Sequence, residues 1–323
     1  MDIDYLLFLQ HIREATGGVF DEFFNMISKI AVDIMPLLPF LIFWAVDRSW
    51  GYRFMGTIWG GEVVTGVLKL TVCAYRPWIR DPRIIPAGDS KVAATGYSFP
   101  SGHTMCATAT YGSVAAWQYR RRNLLVAGCI VMILLTGFSR NFLGVHTPQD
   151  VLVGIAETVL IIIAAGFIQK KVSGNSSLAD KLTVCGIAAA IAALLYVQLK
   201  SYPMDYVDGA LLVDPENMKK DIFGGVGGLI GLLAGSWIER HYVKYRIPKG
   251  SEVLPVMACA GVAAVYIWEE FLKSITFRVW FGMNWGSLVS SLLLMILAVG
   301  VYPIVIMKAA ERAEQRRLVA VEA

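Results

Sequence analysis

Charge is the scarcest property of this chain. Lys, Arg, Asp and Glu together make up 17% of its 323 residues, whereas 56% are hydrophobic, and the mean hydropathy is +0.57. That balance excludes an ordinary soluble globular protein and is normal for a polytopic membrane protein. Cysteine is scarce as well, with five in all. Cys73, Cys106, Cys129, Cys185 and Cys259 lie inside apolar stretches, with neither metal-ligand spacing nor a paired pattern. They read as small apolar residues, and a disulfide framework is not expected. The opening Met1-Asp2-Ile3-Asp4-Tyr5 lacks the basic run of a secretory leader, so no cleaved segment is expected. The sequence shows no internal repeat and no low-complexity tract, and no nucleic-acid partner is expected.

Long apolar runs are abundant. About 20 apolar residues cross the ~30 Å hydrocarbon layer. Runs of that order lie near 27–46, 54–74, 103–119, 124–141, 148–169, 182–200, 222–238, 253–271 and 286–307. They predict an all-α integral membrane bundle of about nine spans, of which 103–119 and 222–238 are short. Residues 3–15 are too short to span and read as an interfacial helix. The chain thus divides into an N-terminal region 1–26, a core 27–170, a linker 171–181, and C-terminal helices with a basic tail over 182–323.

Loops 47–53, 118–123, 169–181 and 239–252 are dense in Lys and Arg, including Arg120, Arg121, Arg122, Lys170 and Lys171. With nine spans they share one side, which the positive-inside rule makes cytoplasmic. The N-terminus is then outside and the C-terminus inside. Loops 75–100, 139–147, 201–221 and 273–285 fall on the outer side. A bacterial plasma membrane fits this layout, and so does an endoplasmic reticulum membrane with a lumenal site. Gly224, Gly225, Gly227, Gly228, Gly231 and Gly235 crowd one span. Such spacing allows close helix approach, either in a homodimer or inside the bundle.

Three polar segments interrupt this apolar scaffold, all on the predicted outer side. In the first, Lys69 lies seven residues before Arg76-Pro77, about two helical turns, so both can face one way. A lysine at membrane depth is costly and usually functional, although it can also snorkel to the interface. Pro77 is expected to end the helix and aim Arg76. The second segment, Pro100-Ser101-Gly102-His103, opens a helix. Free N–H groups there bind anions, Ser101 adds a hydroxyl, Gly102 permits close approach, and His103 can protonate a leaving alkoxide. An ordinary helix start with an interfacial histidine is the plainer alternative. The third segment runs from Ser139-Arg140 to His146-Thr147-Pro148-Gln149-Asp150. Arg140 offers a planar fork for phosphate oxygens. Asp150 either caps the helix with Thr147 or orients His146 for attack, and the two roles are compatible. Glu62, seven residues before Lys69, is expected to pair with it on spacing alone. Cations around a phosphoryl group, an in-line nucleophile and an acid are what phosphoryl transfer needs.

These segments resemble those of the type 2 phosphatidic acid phosphatase family, which shares its core with vanadium haloperoxidases. The family pattern is Lys-x6-Arg-Pro, Pro-Ser-Gly-His and Ser-Arg-x5-His-x3-Asp, and every element is present in order and spacing over about residues 54–170. The resemblance implies that Lys69, Arg76, Ser101, Gly102 and Arg140 bind phosphate. It implies that His146 is a nucleophile forming a phosphohistidine, that His103 is the general acid, and that Asp150 orients His146. It implies no cofactor and no metal. The expected substrate is a phosphorylated lipid taken from the membrane. A soluble sugar phosphate is the alternative, because a nine-span layout is similar to the glucose-6-phosphatase branch. A phosphate-binding transporter and a vanadate-dependent peroxidase are weaker alternatives.

Overall fold

The computed structural model describes residues 1–94, 96–207 and 209–322. It is a helical bundle with one short hairpin, Tyr206–Val207 against Ala210–Leu211. Helix α1 (Asp2–Ala15) precedes α2 (Asp21–Val46), whose path is broken into π and 3-10 turns around Pro36 and Pro39. Then follow α3 (Arg48–Val72), α4 (Gly102–Gln118), α5 (Asn123–Phe142), α6 (Pro148–Val172) and α7 (Ser176–Leu199). The C-terminal part holds α8 (Pro215–Val243), α9 (Leu254–Phe281) and α10 (Met283–Ala320).

Local chemistry sets the starts. The Asp47 carboxylate accepts from the N–H groups of Ser49 and Trp50 and so begins α3. Thr147 and Asp150 form a reciprocal capping box at α6, with Pro148 in the first turn. Asn175 caps α7, and Asp214 before Pro215 caps α8. The expected linker 171–181 is shorter than its composition suggested. Only residues 173–175 turn, because the Asn175 cap carries the chain straight into α7.

Among the described residues, eight helices are long and apolar enough to cross a membrane, rather than the nine expected. The exception is α4, at 17 residues. It begins at the backbone of Asp150, where Ser101 N donates to Asp150 O at 3.0 Å, and it ends with Trp117 against Trp50 and Phe54. It therefore runs the length of α3 in the opposite direction. No residue of α4 is exposed, and Thr104, Thr108, Thr110 and Ser113 are buried in it. Shielded by its neighbours, this helix does not need the apolar surface of a lipid-facing span. The run expected at 222–238 proves longer, since its helix starts at Pro215.

The glycine-rich α8 sits at the centre. A Cβ on Gly227 would lie 2.1 Å from Leu288 O, and one on Gly231 would lie 2.4 Å from Leu292 O, both in α10. On another face, Gly228 meets Trp59 and Gly225 meets Glu62, both in α3. These glycines are used for packing inside the chain, which accounts for them without a second copy.

The two ends of the bundle differ. The basic loops gather at one: Arg48 bonds Glu239 at 2.7 Å, Gln169 bonds Ser49 O at 2.6 Å, and Arg240 bonds Asp180 at 3.0 Å. The three motif segments gather at the other. There α1 is tied down through Arg13, which donates to Phe142 O and Ile85 O, while Ala87 N reaches Leu143 O at 3.0 Å.

Candidate active site

Lys69 stands in the last turn of α3. The helix does not run on to Pro77 as expected. Cys73 takes the left-handed conformation at φ 52° and donates its N–H to Lys69 O, so α3 stops four residues earlier. Pro77 instead opens a short helix, Pro77–Arg80, with Arg76 extended at its N-cap. The early stop frees Arg76 to turn inward, where it is 4% exposed. Its Nε donates to Gly96 O at 3.0 Å, and its Nη1 donates to Val145 O and to His146 Nε2, both at 2.9 Å.

Arg140 ends α5 and is 1% exposed. Its Nη1 donates to Ser28 Oγ at 2.7 Å, yet its Nε and Nη2 are buried with no partner among the described residues. Buried donors are nearly always satisfied, so two open N–H groups on one guanidinium mark a place for an acceptor. The backbone after Arg140 wraps over it: Val145 N and His146 N both donate to Arg140 O, and Asn141 Nδ2 donates to His146 O at 2.9 Å.

His146 is held from both sides. Its Nδ1 faces Asp150 Oδ2 at 3.3 Å and its Nε2 faces Arg76 Nη1 at 2.9 Å. An acceptor on one side and a donor on the other select the tautomer with the proton on Nδ1, with the unprotonated Nε2 accepting from Arg76. Asp150 Oδ2 also accepts from Ser98 Oγ at 2.5 Å and from Thr147 N at 2.8 Å. The capping and orienting roles therefore coexist in one carboxylate. Burial first, and the Arg76 guanidinium next, hold the His146 imidazole well below the usual histidine range, so it stays neutral.

These groups close on a cavity of about 240 Å³ lined by Lys69, Arg76, Gly102, His103, Arg140 and His146. Gly102 leaves open space: a Cβ there would meet nothing within 4 Å. The arrangement presents three cations and a nucleophilic nitrogen to one volume, which suits a phosphoryl group.

Two expectations need correction. Ser101 does not line the cavity; it is fully buried at the N-cap of α4, where its Oγ accepts from Thr104 Oγ1 at 2.9 Å. Its position is spent on starting the helix that presents Gly102 and His103. Glu62 forms no ion pair with Lys69. It lines the same cavity as Lys69 and also a second one.

Other contributors were not anticipated. Ser98 supports Asp150, Ser28 holds Arg140, and α8 supplies Met218 and Asp221 to the cavity wall. Asn141, polar at the end of an apolar run and adjacent to Arg140, is the one the sequence could have flagged. Ser28, Ser98 and Asp221 lie 112, 52 and 71 positions, respectively, from Arg140, Asp150 and Asp150, without a local pattern.

Known proteins resemble this chain in sequence. The chain is similar to phosphatidylglycerophosphatase B of Bacillus subtilis, 31% identical over 133 residues, covering 37% of this chain and 64% of that protein. It is similar to lipid phosphate phosphatase delta of Arabidopsis thaliana, 26% identical over 161 residues, covering 47% and 39%. Phosphatidylglycerophosphatase B of Escherichia coli is 36% identical over 85 residues, covering 25% and 32%. The chain thus spans less than two thirds of the length of these relatives. No solved structure matches it. Residues 50–172, which hold all three motif segments, match the PAP2 superfamily, and the chain carries a PAP2 superfamily domain.

Proposed function

We propose that this protein is a membrane phosphatase that hydrolyses a lipid phosphate ester through a phosphohistidine, without a metal, at the outer membrane face. The observation that carries the reading is the pair of Arg140 nitrogens, Nε and Nη2, without a partner among the described residues, buried beside Lys69, Arg76 and the unprotonated Nε2 of His146. A tetrahedral anion supplies the missing acceptors and sets phosphorus next to the nucleophile.

In this mechanism His146 Nε2 attacks phosphorus, and the P–N bond forms as the ester P–O bond breaks. The electron pair goes to the leaving oxygen, which takes a proton from His103. A bound phosphate dianion favours the protonated form of His103. Asp150 stabilises the imidazolium that develops on His146, while Lys69, Arg76 and Arg140 hold the equatorial oxygens. Water then attacks the phosphohistidine, gives its proton to His103, and releases phosphate with Nε2 restored.

Lipid is favoured over sugar phosphate by the relatives' names and by the bundle around the site, which is apolar outside the cavity. The basic loops, which gather at the end away from the site, support the outer face. The test is phosphate release by the detergent-purified protein in EDTA. Its panel is phosphatidate, phosphatidylglycerol phosphate, a polyprenyl diphosphate and glucose 6-phosphate. Release from one or more lipids, inhibited by vanadate and absent in His146→Ala, is the expected result. Release from glucose 6-phosphate alone overturns the lipid assignment, and loss of activity in EDTA overturns the metal-free mechanism.

A further inference from the structure

Glu157 is a buried acid that the mechanism above does not use. It lies on α6 seven residues after Asp150, about two turns farther from the motif end and on the same face. It is 8% exposed. Its Oε1 accepts from Thr65 Oγ1 of α3 at 2.6 Å, whereas its Oε2 is buried with no partner among the described residues. Thr65 lines the catalytic cavity, so Glu157 stands behind that part of the wall. The cation whose charge acts on Glu157 is Lys69. Lys69 follows Thr65 by four residues on α3, hence on the same face and one turn nearer the motif end. It lines the cavity and forms no ion pair among the described residues.

A carboxylate oxygen buried at membrane depth without a donor is costly and calls for a cation. Helix geometry puts Lys69 within reach. A helical side chain leans toward the N-terminus of its own helix, which for Lys69 is toward Thr65. The offset is about 6 Å along the axis, a distance that a flexible four-carbon stem covers. The ammonium therefore has two sets of acceptors available, the phosphoryl oxygens in the cavity and Glu157 Oε2 behind its wall. The other acids of the site do not offer the same. Asp150 Oδ2 is engaged with His146, Ser98 and Thr147. Neither Glu62 nor Asp221 has a buried oxygen left without a partner. Three cations in a dry cavity would also hold the product phosphate strongly, and a competing acceptor for one of them loosens that hold.

We propose that Glu157 is a positioning residue for Lys69: it draws the ammonium back toward α6 when phosphate leaves, and so sets how tightly the product is held. Thr65 fixes Oε1 and leaves Oε2 for the lysine. Substrate binding moves Lys69 from Glu157 to the phosphoryl oxygens, and release moves it back. The inference rests on the phosphate site proposed above.

The experiment titrates inorganic phosphate at equilibrium into the purified full-length wild type, Glu157→Gln, Lys69→Met and the double variant. Glu157→Gln keeps an acceptor for Thr65 but removes the charge that competes for Lys69, so it is expected to bind phosphate about tenfold tighter. In the Lys69→Met background the same substitution is expected to change the affinity by less than about twofold. Damage to the fold weakens binding, so a gain in affinity is not a structural effect. Thr65→Val is the companion variant. It removes the donor to Oε1, leaves Glu157 more dependent on Lys69, and is expected to weaken phosphate binding by about threefold. Unchanged or weaker binding by Glu157→Gln overturns the proposal, and so does a gain of equal size in the Lys69→Met background. Should Glu157→Gln fail to fold, Thr65→Val decides: weaker binding supports the proposal and unaltered binding overturns it. If the wild type binds no phosphate, the phosphate site itself falls and this inference with it. Binding by the wild type with no gain in Glu157→Gln removes this inference alone.

Discussion

The two halves of this bundle place their polar groups in opposite ways. In the first half each functional side chain has a neighbour in sequence that explains its position: Cys73 stops α3 before Arg76, Ser101 starts the helix under His103, and Thr147 shares a capping box with Asp150. In the second half Asp221 of α8 and Glu269 of α9 come from different long helices and meet in the wall of one cavity. Local motifs therefore build the proposed phosphate site, and long-range packing builds the space beside it. The contrast teaches that a motif search finds what neighbours in sequence build and overlooks what distant helices place beside it.

The sharpest way to break the comparison is in the motif half. His146→Ala should cut turnover by about 10⁴-fold or more, since it removes the nucleophile, while binding of a phosphate analogue persists. Near-normal phosphate release from that variant would dismiss His146 as nucleophile. Arg140→Lys should lower kcat/KM by about 10²- to 10³-fold, because a point charge cannot fill the positions of the open Nε and Nη2. An activity within a few-fold of wild type would show that the orphaned donors are not used.

In the second half the expected effects are on packing. Gly227→Ala places a methyl where Leu288 O lies 2.1 Å away, so α8 and α10 must separate. The cost is about 3 kcal/mol, read as a lowered Tm in detergent. An unchanged Tm would show that the α8–α10 contact yields easily. Gly102→Ala tests the opposite case. Its methyl enters open space within the phosphate cavity, so Tm should hold or rise slightly while kcat/KM falls by about tenfold.

The smallest effect concerns pH. Because the His146 pKa is lowered, the neutral nucleophile persists as the pH drops past the ordinary histidine value, and its loss begins only below the folded value. The acid limb of kcat/KM, followed between pH 4 and 8 (about two units either side of an ordinary imidazole), should therefore fall below that of a free imidazole. A limb centred at the ordinary value would mean that burial and Arg76 do not control His146.

The sequence by itself determined that the chain is an all-α membrane bundle, because long apolar runs are local and admit little else in lipid. It also pointed to the residues that come together around one cavity, since Lys69-x6-Arg76, Gly102-His103 and Arg140-x5-His146-x3-Asp150 each fix a short stretch of backbone. Only the tertiary structure decided that α4 is an inner helix, that Ser101 serves the helix start, and that the α8 glycines pack on α3 and α10. Only it paired Ser98 with Asp150 and Ser28 with Arg140, and set Glu62 in one cavity wall with Asp221. The physical reason is range. Caps and turns depend on residues a few positions apart, whereas the partner of a buried charge is whichever group the packing of distant helices brings within hydrogen-bond reach.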